Sequence, residues 1–143
     1  GSAEEKAGIE AFKQYYKVFA ADVIRRDTKK LYAKDAFFKD GYKEVKGVEA
    51  IETYFLATAE AIVSCTFDIT DVSVRDGNYY FRWVMNLTIK RDRDNPMEQI
   101  GMSHVRFAPD GKVVFHADYW DTSIVFERAP VIGSIIRWAK EQF

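Results

Sequence analysis

The sequence predicts an α+β fold in which one antiparallel sheet curls around helices. Apolar residues recur every three or four positions as far as Ile62, and after Ser64 the period drops to two. Strands as long as these must twist. A strongly curled sheet closed by three helices makes a cone, and the space inside is an apolar pocket with few polar groups.

Residues 4–23 place Ile9, Phe12, Tyr16, Phe19 and Val23 on one helical stripe, with Glu5, Lys6, Lys13 and Lys17 between them. Asp27-Thr28 can cap a shorter helix through Leu31 and Tyr32. Residues 35–40 then read as a short extended piece in which Phe38 and Asp40 share a face. Gly47 releases a third helix carrying Ile51, Tyr54, Phe55, Ala59 and Ile62 on one side. Residues 66–74 and 79–90 make a long hairpin about Asp76-Gly77-Asn78, with Phe81, Trp83, Met85 and Leu87 alternating along it. After a polar loop at 91–96, residues 97–107 and 112–121 form a second hairpin about Ala108-Pro109-Asp110-Gly111, giving four antiparallel strands. Pro130 can open a last helix that docks Ile132, Ile135, Ile136 and Ala139.

With 143 residues, 48% hydrophobic and 30% charged, the chain reads as one domain over 1–143, large enough to fold without disulfides or metal. Gly1-Ser2 reads as an expression scar. Cys65 stands alone, and with two histidines it gives no metal-ligand spacing, so neither metal nor cofactor is expected and a reducing, cytoplasmic setting is. A net charge of -1 lacks the basic footprint of a nucleic-acid partner, and no apolar run reaches membrane-spanning length. The charge runs at Arg25-Arg26 and residues 91–94 read as solvated faces.

Strand parity puts His116, Asp118 and Trp120 on one face. A hairpin turning at 108–111 would set Ser103 opposite His116 and Gly101 opposite Asp118, where a glycine leaves room for a ligand or water. Asp118 is a candidate general acid or base, since desolvation by aromatic surface disfavours the charge of a carboxylate. It can equally be a structural carboxylate accepting hydrogen bonds from a tyrosine, a tryptophan or His116. His116 can join it in a proton relay or pack as a core histidine. Tyr16 lies on the buried stripe of the first helix and needs a hydroxyl partner in either role. Asp40, between two phenylalanines and Gly41, reads by itself as a turn aspartate. Phe81, Trp83 and Met85 read as pocket wall, and Cys65 as a core filler.

The order of elements and several strings resemble the NTF2-like superfamily, in particular its SnoaL-like and ketosteroid-isomerase-like members. The strings are residues 32–40, residues 45–55, Val105-Arg106-Phe107 through Gly111-Lys112, and His116-Ala117-Asp118-Tyr119-Trp120-Asp121. That superfold hosts isomerases, dehydratases, cyclases, epoxide hydrolases and non-catalytic binding domains. Resemblance to the ketosteroid isomerases implies that Asp40 is a proton-shuttling carboxylate in the apolar surroundings of Phe38, that Tyr16 hydrogen-bonds a substrate carbonyl, and that Trp120 lines the pocket. Ser103 stands where that family has a protonated aspartic acid, which leaves the oxyanion site incomplete. The 117–121 string also resembles the limonene epoxide hydrolases, but their Arg-x-Asp pair has no counterpart in Phe81-Arg82-Trp83-Val84-Met85, which disfavours that activity.

The expected ligand is therefore a small, largely apolar molecule with one or two polar groups. Either a cofactor-independent isomerase, dehydratase or cyclase acts on it, using Asp40 or Asp118 with Tyr16 and Ser103, or a non-catalytic binding or accessory protein holds it. A homodimer is expected through outward-facing strand residues such as Tyr80, Val84, Met102, His104, Phe115 and Tyr119, unless the last helix covers that face.

Overall fold

The computed structural model describes residues 2–128 and 131–142. Helices α1 (Ala3–Tyr16) and α2 (Ala21–Leu31) lead into strands β1 (Tyr32–Lys39) and β2 (Glu44–Lys46) and helix α3 (Val48–Glu60). Long strands β3 (Ile62–Arg75), β4 (Asn78–Ile89), β5 (Met97–Phe107) and β6 (Val113–Tyr119) follow, then helices α4 (Ser123–Phe126) and α5 (Ile132–Gln142). The sheet is a six-stranded curved layer in the order β2-β1-β6-β5-β4-β3. The four expected strands are all in it, but it is mixed, because β1 runs parallel to β6. Packed between this sheet and helices α1 to α3 is one apolar cluster that includes Phe12, Ile24, Ile51, Phe81 and Val105. No helix among the described residues is long and apolar enough to cross a membrane.

Local chemistry explains most boundaries. Ser2 caps α1 in a reciprocal box with Glu5. Gly47 precedes α3 at φ +92°, and Asp76 and Gly77 take φ of 52° and 75°, the two left-handed positions that a two-residue β3–β4 turn requires.

The single helix expected over 4–23 is instead two. Past Tyr16 the backbone opens: Phe19 N–H donates to the Cys65 carbonyl at 2.9 Å and Val18 bridges Thr66, so strand pairing outcompetes a helical pattern that continues on paper. Phe19 thereby enters the core, its ring 5.4 Å from that of Phe55. Helix α2 accordingly starts at Ala21, and Asp27 is not a cap; it pairs with Arg26 at 3.0 Å and Lys30 at 3.8 Å while Ile24, Thr28 and Leu31 turn inward.

The β5–β6 register also differs from expectation. Ser103 lies opposite Asp118, and His116 opposite Val105. The strands close one residue later than a tight turn would, at Phe107–Val113, and a bulge at Val114 moves the ladder by one more before Arg106–Phe115. On its other side, Gly101 lies opposite Trp83 of β4, and the indole ring fills the space expected for a ligand or water.

Pro130 lies outside the described residues. Helix α5 forms, but it packs on α4 and leaves Ile132, Ile135 and Trp138 exposed, so its apolar side is not docked on the sheet.

Substituting Gly101→Ala tests the Trp83 contact. A Cβ there would stand 2.2 Å from the indole Cη2, so the ring must move. We expect a loss of about 1–3 kcal/mol in urea unfolding and a changed near-ultraviolet tryptophan spectrum. A variant as stable as the parent, with an unchanged spectrum, would show that the ring is not held there.

Candidate active site

The curl of the sheet leaves a cavity of about 340 Å³ beneath the helices. Phe19, Phe38, Phe55, Phe67, Trp83 and Trp120 supply most of its wall, and Met85, Leu87 and Ile89 alternate along β4 as its floor. Tyr42, Thr58 and Ala61 mark the exposed rim, together with Val125 of α4. Few polar groups reach this space. Tyr16 and Asp118 belong to one hydrogen-bonded system, and Asp40 and Tyr54 to another.

The first system runs behind the wall. The Tyr16 hydroxyl meets that of Tyr32 at 2.5 Å, Tyr32 meets His116 Nδ1 at 2.7 Å, and His116 Nε2 meets Asp118 Oδ1 at 2.6 Å. Ser103 donates to the same Oδ1 at 2.5 Å and accepts from the Trp83 indole N–H at 2.9 Å. For a neutral His116 the donor pattern is fixed. With Asp118 as a carboxylate, both Ser103 and His116 Nε2 donate to it. His116 Nδ1 is then an acceptor, Tyr32 donates to it, and Tyr16 donates to Tyr32. This tautomer follows from the network. Asp118 Oδ2 takes no part in any of these bonds. Burial pushes the Tyr16 and Tyr32 phenols well above their ordinary range, with Tyr15 and Asp118 nearby adding to the effect at both, so both remain neutral hydroxyls.

Asp40 is held differently. Its Oδ1 accepts from the backbone N–H groups of Tyr42 and Lys43 at 2.8 and 2.9 Å, an Asx turn, and its Oδ2 accepts from Tyr54 at 2.7 Å. Burial, and then the bond to Asp40, raises the Tyr54 phenol; burial alone pushes the Cys65 thiol up to about 12, so the cavity sulfur is an uncharged thiol.

Of the residues singled out from sequence, Tyr16, Phe38, Asp40, Trp83, Met85, Asp118 and Trp120 line the cavity. His116 and Ser103 are buried one layer behind and are linked to it by hydrogen bonds through Tyr32, Tyr16, Asp118 and Trp83. Phe81 does not line it; its ring stacks on Phe12 at 4.3 Å in the core. Sequence reasoning passed over Tyr32, the link between Tyr16 and His116, and Tyr54, the partner of Asp40. Tyr32 sits at the first position of a strand that pairs parallel with β6, and such a partnership leaves no local signal.

A family model described as the SnoaL-like domain matches residues 12–116. No curated protein matches the chain in sequence. Among solved structures, the fold is shared with a hypothetical protein of ketosteroid isomerase-like fold from Catenulispora acidiphila in complex with trimethylamine, at 17% identity and a TM-score of 0.71 over 85% of this chain and 91% of that one. A candidate SnoaL-like polyketide cyclase from Jannaschia sp. CCS1 is 14% identical with a TM-score of 0.72, over 91% of this chain and 97% of that one. A candidate isomerase from Bacillus subtilis is 21% identical with a TM-score of 0.66, over 89% and 95%.

Removing the middle hydroxyl tests the buried system. In Tyr32→Phe, His116 Nδ1 and the Tyr16 hydroxyl both lose their partners inside the protein. Denaturant unfolding should show a loss of about 1–3 kcal/mol. An unchanged midpoint would mean that water replaces the phenol and the system is not closed.

Proposed function

The chain belongs to the SnoaL-like domain family, and on that premise we propose that it is a cofactor-independent acid–base enzyme, an isomerase or lyase, acting on a small and largely apolar molecule. One observation carries this reading: the buried hydrogen-bonded chain begins and ends on the same cavity, at Tyr16 and at Asp118. A ligand hydroxyl bonded to the Tyr16 oxygen can pass its proton there while the Tyr16 proton moves to Tyr32 and the Tyr32 proton to His116 Nδ1. The resulting imidazolium is held against the Asp118 carboxylate, which fixes the ring's tautomer and stabilises its charge as the acid does in a Ser-His-Asp triad. Asp118 Oδ2, which is outside these bonds, is a second basic atom on a residue that lines the cavity. The reverse movement returns a proton to the product, so no cofactor enters the cycle.

The second reading is a binding protein without turnover. The hydrogen bonds that occupy both Asp40 oxygens and the turning of Ser103 toward Asp118 favour it, because they weaken Asp40 as a base and leave Ser103 not aimed at a developing oxyanion.

Proton exchange separates the two readings. Enolisable carbonyl compounds that raise the melting temperature should exchange a C–H proton in deuterium oxide, followed by NMR. Tyr16→Phe and Asp118→Asn should each slow that exchange by about 100-fold or more. Compounds that bind without any exchange would leave the binding reading in place.

The same proposal includes a cytoplasmic homodimer joined through the outer sheet face. Ile100, Met102 and Tyr119 are 57%, 40% and 53% exposed there, and α5 packs on α4 and not over them. Light scattering should give a dimer mass at micromolar concentration and a monomer for Arg106→Glu with Tyr119→Glu. A monomer mass that persists as the parent protein is concentrated would refute the interface.

A further inference from the structure

The charges and donors around the cavity are one-sided in a way that the proton relay does not require. Its lining residues include Asp40 and Asp118 but no lysine, arginine or histidine. His116 lies behind Asp118, and with Nδ1 accepting from Tyr32 it donates to the carboxylate without bringing a charge of its own to that side.

The hydroxyls add to the asymmetry. Tyr16 gives its proton to Tyr32 and Tyr54 gives its own to Asp40, which leaves both phenol oxygens with lone pairs as their remaining capacity. Ser103, a possible donor, is committed to Asp118. Asp118 Oδ2 has no hydrogen-bond partner among the described residues and lies on an otherwise apolar wall. A ligand that supplied only acceptors would leave that oxygen desolvated and unpaired, which is costly.

The wall is suited to positive charge as well. About half of the lining residues are aromatic, and aromatic faces attract cations, more strongly when water is excluded. The Lys43 ammonium, which does not line the cavity, already lies 5.5 Å from the Tyr54 ring centroid.

We propose that the ligand of this cavity is an organic cation: an amine, protonated or quaternary, on a hydrophobic body, with its charge set among the aromatic rings beside Asp118 and Asp40. This inference rests on the reading of the cavity as the ligand site and names the class of molecule that fits it. An anion would meet two carboxylates and lone pairs. A neutral hydrocarbon would fill the volume but leave Asp118 Oδ2 unanswered.

Three probes of similar size test it by calorimetry: benzyltrimethylammonium, its uncharged carbon isostere neopentylbenzene, and the anion 3-phenylpropanoate. We expect the cation to bind about tenfold or more tightly than the isostere, and the anion more weakly than either. In Asp118→Asn that preference should shrink to about threefold or less, with the isostere bound as before. Equal affinity for cation and isostere would overturn the charge preference and leave the cavity as a ligand site. No binding of any probe would overturn both. A full cation preference in Asp118→Asn with Asp40→Asn would overturn the assignment by placing the cation elsewhere. The comparison of the three probes on the unaltered protein decides the matter even where a variant does not fold.

Discussion

Polar groups sealed in an apolar interior must find partners, and this requirement fixes how the layers of the protein meet. His116 is 1% exposed, Tyr32 1% and Ser103 3%. No buried side-chain nitrogen or oxygen among the described residues lacks a partner. The bonds that achieve this cross from α1 at Tyr16 to β1 at Tyr32, β6 at His116 and Asp118, β5 at Ser103 and β4 at Trp83. A slip of one residue in any of these strands would turn a polar side chain to the wrong face and strand its neighbours. Each orphan would cost about 1–3 kcal/mol out of a total stability of about 5–15 kcal/mol. Apolar packing favours many compact arrangements, and the polar chain selects among them.

The same registers produce the cavity. Strand β4 supplies Phe81 to the core against Phe12, then Trp83, Met85, Leu87 and Ile89 to the cavity wall. All five point to one side of the sheet, so only position along the strand separates packed core from open space. At Phe81, helix α1 lies close enough to stack on the sheet. Further along, the chain has left α1 through the extended residues around Val18 and Phe19, which pair with β3. The break after Tyr16 is therefore what opens the roof. A continuous helix over 4–23 could not place Phe19 at the cavity edge.

Sequence read well where the determinants are local. The Asp76-Gly77 turn, the release of α3 by Gly47 and the alternation along β4 each follow from a few neighbouring residues, and each stands in the structure. It read poorly where long-range pairing outcompetes a local pattern. The helical stripe continues through Phe19 and Val23, yet backbone bonds to β3 end the helix at Tyr16. A turn one residue wider than expected and a bulge at Val114 together moved Ser103 from opposite His116 to opposite Asp118, and no propensity marks either. The face shared by His116, Asp118 and Trp120 was legible because parity depends on spacing alone. Tyr32 was not, because its role exists only once β1 lies parallel to β6.

Placing two tyrosines between the cavity and the histidine has an electrostatic consequence. A base on the wall itself would confront the ligand with its change of charge at each step. Here the phenols are held far from ionisation by burial, so they transmit a proton without storing it. In the proposed relay, the charge created by accepting a proton would be located on His116, one layer back, 2.6 Å from Asp118. Opposite charges so close in a poorly solvated place attract strongly, and the Ser103 hydroxyl and Trp83 indole already point along the chain that supports the carboxylate. The cost of burying such a pair is met once, in folding, so little reorganisation is needed each time a proton moves. Until that relay is loaded the cavity keeps an acceptor character, since neither Tyr16 nor Asp118 Oδ2 has exchanged a lone pair for a hydrogen. A site built this way distinguishes ligands by the protons or the positive charge they bring, the first of which an acid–base reaction depends on and the second a preference for cations.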